Sequence, residues 1–170
     1  MMKRVILFLV IAAMFTACNN STPEKKIVGK EVIHSYTNGT PQIERNFEMV
    51  DGNRIATYEW EYYEDGNVLK EGPLSANERR DGEWKSYYRD GVLWSKGDYN
   101  NGIREGKTVT YHANGNKYYE GQFVKAQKSG MWKFYKENGE FDYEMHFDPE
   151  KKIQTTVDKK KLEEQQKSGK

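Results

Sequence analysis

Residues 81–99 read DGEWKSYYRDGVLWSKGDY. Asp81-Gly82 and Asp90-Gly91 bracket a run rich in Trp and Tyr, and a second such run follows. Aromatic and β-branched residues between turn dipeptides favour a pleated, half-buried strand. Asn-Gly and Asp-Gly accept positive φ at both central positions of a type I′ turn, whose twist matches that of the flanking strands. The stretch therefore predicts a β-hairpin. The chain holds eight such dipeptides, the others being Asn38-Gly39, Asp51-Gly52, Asp65-Gly66, Asn101-Gly102, Asn114-Gly115 and Asn138-Gly139.

The hairpin recurs. Gly66, Gly91, Gly115 and Gly139 are spaced by 25, 24 and 24 residues. Six residues after the first three stand Gly72, Gly97 and Gly121, with Met145 in the last copy. Eight residues after stand Leu74, Tyr99, Phe123 and Phe147. Four residues before stand Tyr62, Tyr87, Tyr111 and Tyr135. Gly82, Gly106 and Gly130 form a further column, and Trp84 and Trp132 share another two units apart. A degenerate earlier unit centres on Asn38-Gly39. A lone hairpin is unstable in water, but hairpins laid side by side bury a shared face. The expected fold is all-β: a single-layer twisted meander of about five antiparallel hairpin units over residues 32–150. Strict alternation puts Trp84 and Tyr87 on opposite faces. The core is aromatic, because the chain after Cys18 has 21 aromatics and only four leucines, Leu69, Leu74, Leu93 and Leu162.

The stretch 81–99 resembles the MORN-variant repeat, and so does SGMWKFYKENG at residues 129–139. Such repeats occur in YwqK-type antitoxin-like proteins and in lipoproteins of Bacteroidetes type. The resemblance spans roughly residues 32–147. It implies an elongated single-layer sheet and a binding or scaffold role. It carries over no catalytic residue, because the motif has none.

The N-terminus reads differently. Lys3 and Arg4 precede an apolar run, Val5 to Phe15, that ends at Thr16-Ala17-Cys18. Eleven residues rise about 16 Å as a helix, too short for a bilayer core of about 30 Å. Residues 1–17 therefore read as a signal helix. The pattern resembles the bacterial lipobox, with Phe15 where Leu is usual, and implies lipidation of Cys18. One acyl chain binds membranes marginally, whereas several make a stable anchor. Cys18 is the single cysteine of the chain, so no intramolecular disulfide forms. Residues 18–31 read as a tether. Residues 151–170 read as a cap strand, expected over 151–157, and a short Lys/Glu/Gln-rich tail. Loss of Lys3 and Arg4 takes the net charge from +1 to −1, with 25 basic and 26 acidic residues left. A near-neutral chain of mixed signs argues against a nucleic-acid partner.

Catalytic or metal chemistry finds little support. His34, His112 and His146 lie in separate units without ligand spacing. His112 occupies the column of Tyr63 and Tyr88 and reads as a surface substitute. Glu59, Glu61 and Glu64 read as a charged solvent face, since a flat sheet offers no cleft for a carboxylate pair. No catalytic residue, metal site or cofactor is expected. Aromatics interleaved with charges compose binding surfaces. Trp60, Trp94 and Tyr119 fall off the strict columns and are the candidate contacts. The expected function is non-catalytic: a lipid-anchored module of the cell envelope, placed at the outer membrane, that binds a protein or an envelope polymer. An antitoxin or immunity protein acting by binding is the alternative, and an envelope glycan hydrolase a remote one. Open edge strands also allow self-association.

Overall fold

A computed structural model describes the backbone of residues 26–150 and 154–158. The signal helix, Cys18, the first part of the tether and the charged tail lie outside these residues. The described chain is one eleven-stranded sheet in which each strand pairs with its sequence neighbours. The strands are β1 (Lys26–Ser35), β2 (Pro41–Val50), β3 (Asn53–Tyr62), β4 (Val68–Pro73), β5 (Gly82–Tyr87) and β6 (Leu93–Asn100). They continue as β7 (Ile103–Tyr111), β8 (Lys117–Val124), β9 (Gln127–Tyr135), β10 (Phe141–Phe147) and β11 (Gln154–Asp158). All pairings are antiparallel, and the described residues contain no helix. The fold is thus the expected hairpin meander. β1 begins at Lys26, so the last six residues assigned to the tether, 26–31, are strand instead. Their alternation is weak because a bulge at Val28 interrupts it.

Turn chemistry corrects one expectation. The repeating turns are not type I′. At Tyr88–Val92 the Gly91 amide donates to the Tyr88 carbonyl at 2.9 Å, and the Tyr88 amide to the Val92 carbonyl at 2.8 Å. Only Gly91 has positive φ, 87°. Asp90 keeps the ordinary backbone region while its Oδ1 accepts the Val92 amide at 3.1 Å. This is a three-residue loop closed by a left-handed glycine. The same pattern closes the turns at Tyr36, Tyr63, His112 and Lys136. Type I′ geometry occurs at Asp51-Gly52 and Asn101-Gly102, and also at Lys125-Ala126 with φ of 48° and 63°.

A bulge follows each repeating turn. Tyr87 pairs with Leu93 and Ser86 with Ser95, which leaves Trp94 as the extra residue. Leu69, Tyr118 and Asp142 hold the same place in their hairpins. Trp94 therefore does belong to a column, one that a strict alternation rule does not register.

The two faces differ in character. Trp84 pairs across to Gly97, Gly97 to Thr108 and Thr108 to Gly121, so all four share one face. The column seven residues before the turn glycines, Glu59, Trp84, Thr108 and Trp132, is buried at 8%, 3%, 2% and 0% exposure. One layer seals a tryptophan because the neighbouring strand offers glycine. A Cβ on Gly72 would lie 2.5 Å from the Trp84 ring, and one on Gly121 would overlap the Trp132 indole. Each indole lies flat on bare backbone, which a methyl group would forbid. The opposite face carries the tyrosine column. Trp84 and Tyr87 thus stand on opposite sides.

Candidate functional site

On the tyrosine face three of the four column tyrosines reach back to the preceding hairpin. Tyr62 donates to Glu44, Tyr87 to Glu71 and Tyr135 to Glu120, each at 2.6 Å. Burial, then the Glu120 hydrogen bond, pushes the Tyr135 phenol up to about 12. Burial and Glu71 raise Tyr87 in the same way. Hydrogen bonds from Lys117 and Tyr135 hold Glu120 below the usual carboxylate range. These carboxylates stand five residues after the turn glycines. In the third unit that place belongs to Lys96, which turns to Glu83 at 3.1 Å. An open depression of about 460 Å³ lies on this face, with Lys107, Glu120, Met131 and Lys133 among its walls.

At the turn end of the sheet a second ladder ties hairpin to hairpin. Tyr36 Oη donates to the Tyr62 carbonyl at 2.8 Å, Tyr63 to that of Tyr87 at 3.0 Å and Tyr88 to that of Tyr111 at 2.9 Å. His112 Nε2 stands 3.2 Å from the Tyr135 carbonyl, in the same role. Trp94 and Tyr118 flank this ladder, 46% and 45% exposed. Their rings lie 6.3 Å from Tyr88 and 4.7 Å from His112.

The tryptophan face carries a third row. Two residues before Gly82, Gly106 and Gly130 stand Arg80, Arg104 and Lys128. Leu74 bridges to Arg80, Tyr99 pairs with Arg104 and Phe123 with Lys128. Cation and apolar side chain therefore alternate across the sheet. The Arg80 guanidinium lies 4.3 Å from the centre of the Trp84 ring. That of Arg104 lies 4.6 Å from Phe123. The Lys128 ammonium lies 4.3 Å from Trp132 and 4.9 Å from Phe147. Such stacking is favourable where water is excluded. Burial, then the Arg104 charge, pushes Lys128 down.

The three residues singled out from sequence do not converge. Trp60 packs against Tyr58, ring centres 4.4 Å apart and planes tilted by 44°, under the Lys30 ammonium on the tyrosine face. Trp94 sits at its bulge. Tyr119 packs 5.6 Å from Trp132 and 5.9 Å from Phe134 on the other face. The solvent-face reading of the carboxylates needs correction. Glu59 is buried, in the tryptophan column, and accepts from Arg45 Nε at 2.7 Å. Glu61 is half-buried and pairs with Lys70 at 2.8 Å, while Glu64 is exposed. A strand position is set by its column, and Glu59 inherits an inward one. The cation row was overlooked in the sequence, although its spacing of 24 residues is legible there.

Two family models match segments of the chain. The MORN repeat variant matches residues 80–101 and 104–125. The prokaryotic membrane lipoprotein lipid attachment site matches residues 2–19, which include Cys18. No curated protein and no solved structure matches the chain. The attachment site marks an exported envelope protein anchored by lipid. The matched repeats coincide with β5 to β8, two of the hairpins described above. The chain thus carries two MORN-variant repeats, at residues 80–101 and 104–125, behind a prokaryotic lipoprotein lipid attachment site.

Proposed function

We propose that the protein is a non-catalytic binding module, held at the outer membrane by lipid on Cys18, that presents its sheet to a protein or an envelope polymer. One observation carries this reading: the exposed and half-exposed side chains recur hairpin by hairpin, on a sheet of one layer. Such a surface repeats along one direction and suits an extended partner. The raised tyrosines and lowered Glu120 are engaged in cross-strand bonds, so their shifts have a structural cause. β1 and β11 are the outermost strands, and self-association through their free sides remains part of the proposal.

The test uses the full chain. Palmitate labelling and membrane fractionation of wild type and Cys18→Ala should show label and outer-membrane material for the first alone. Capture from envelope extracts should then enrich a defined partner. Label that survives in Cys18→Ala would refute the anchor assignment. Hydrolysis of an envelope polymer by the purified chain would refute the non-catalytic one.

A further inference from the structure

The cation row on the tryptophan face has donors without acceptors. Arg80 has Glu61 at 3.5 Å. Among the described residues, Arg104 and Lys128 have no carboxylate within ion-pair distance. Arg104 makes one long bond, from Nη2 to Thr108 Oγ1 at 3.5 Å. Its Nε is buried without an acceptor, and so is Nε1 of Trp132 beneath Lys128. In the β5–β6 hairpin the corresponding indole, Trp84, donates to the Pro73 carbonyl at 2.8 Å. Two like charges thus stand near one another on an aromatic floor, with unpaired N–H groups below them. Buried donors and unpaired cations are costly in an isolated sheet. An anion laid along the row would pair the two cations.

The spacing narrows the class of anion. Successive members of the row are two strands apart, which sets them about 10 Å from each other. A β-linked polysaccharide advances by a comparable distance per disaccharide. Tyr99 and Phe123 stand between the cations and are half-buried, so each leaves part of an aromatic ring on which a pyranose can pack. Phosphates along one nucleic-acid strand come about every 3.4 Å of axis, so most would find no cation here.

Resting on the binding-module reading above, we infer that Arg80, Tyr99, Arg104, Phe123 and Lys128 form a binding site for an acidic polysaccharide bearing one carboxylate per disaccharide. Arg104 and Lys128 take successive carboxylates, and the rings between them take the sugar faces.

The probe is a decasaccharide of alternating uronate and N-acetylhexosamine, titrated into the full chain in detergent by calorimetry. Binding is expected, and it should weaken as salt rises. Arg104→Gln and Lys128→Gln should each weaken it at least tenfold. Arg104→Lys should restore much of the loss, and Lys133→Gln on the tyrosine face should leave affinity unchanged. A neutral N-acetylhexosamine oligomer of equal length should bind at least tenfold more weakly. Unchanged melting temperatures in the glutamine variants show that the sheet is intact. If Lys128→Gln unfolds the chain, Arg104→Gln against Arg104→Lys carries the comparison alone. Absence of binding, equal binding by Arg104→Gln, or equal affinity for a thymidine oligomer or for anionic lipid vesicles overturns the site. Should the decasaccharide fail while the full chain still captures a defined envelope partner, this site falls and the module reading stands. Failure of both removes both.

Discussion

Gly121 and Trp132 show how much one side chain decides in a sheet of one layer. The indole is fully buried although no second layer covers it, because the strand beside it contributes bare backbone. Gly121→Ala should therefore cost roughly 1–3 kcal/mol by overpacking, read as a lowered melting temperature. Tyr135 makes a prediction about pH. Its phenol is raised to about 12 in the folded chain, against about 10 unfolded. Its contribution is complete below pH 10 and fades as pH climbs from about 10 to 12, because the unfolded chain ionises first. Glu120 works in the opposite sense, since its pKa is lowered and its contribution fades as pH falls through the acid range. Urea denaturation of Tyr135→Phe should lose less stability between pH 9.5 and 12 than wild type. An identical slope in both proteins would refute the assignment.

At the scale of the hairpin, the loops hold the surplus strain and the rungs hold the register. Lys125 and Ala126 both adopt left-handed backbone in the β8–β9 turn. Non-glycine residues pay roughly 1–2 kcal/mol each for that conformation. Replacing the pair by Asn-Gly, as at residues 101–102, should raise stability by about 1–2 kcal/mol in chemical denaturation. The rung from His112 to the Tyr135 carbonyl is worth about 1 kcal/mol. His112→Ala should lose that amount, and His112→Tyr should keep it, since Tyr88 makes the same bond one unit earlier.

At the scale of the molecule, each strand touches its sequence neighbours and the sheet behaves as a one-dimensional array. Trp84 on β5 and Trp132 on β9 are four strands apart, about 19 Å at ordinary strand spacing. Each change to Ala should cost roughly 3–5 kcal/mol. The double variant should equal the sum within about 0.5 kcal/mol, because no shared neighbour couples the two sites. Stronger coupling would mean that the sheet folds as a closed body rather than as a row.

The turn dipeptides and the 24-residue period determined the all-β class, the antiparallel order and the sides taken by Trp84 and Tyr87. They suffice because a tight turn and a two-residue alternation are local properties of the chain. The apolar run ending at Cys18 likewise sufficed for the lipid attachment site. Tertiary structure alone decided that Gly72 and Gly121 lie beneath indoles, since nothing local in the sequence sets those glycines against a tryptophan of the next strand. It also decided that Glu59 faces inward, that Trp94 occupies a bulge, and that Arg104 and Lys128 stand together without a counter-charge among the described residues. Those facts depend on which side chains from separate hairpins meet across the sheet, and local pattern does not encode such meetings.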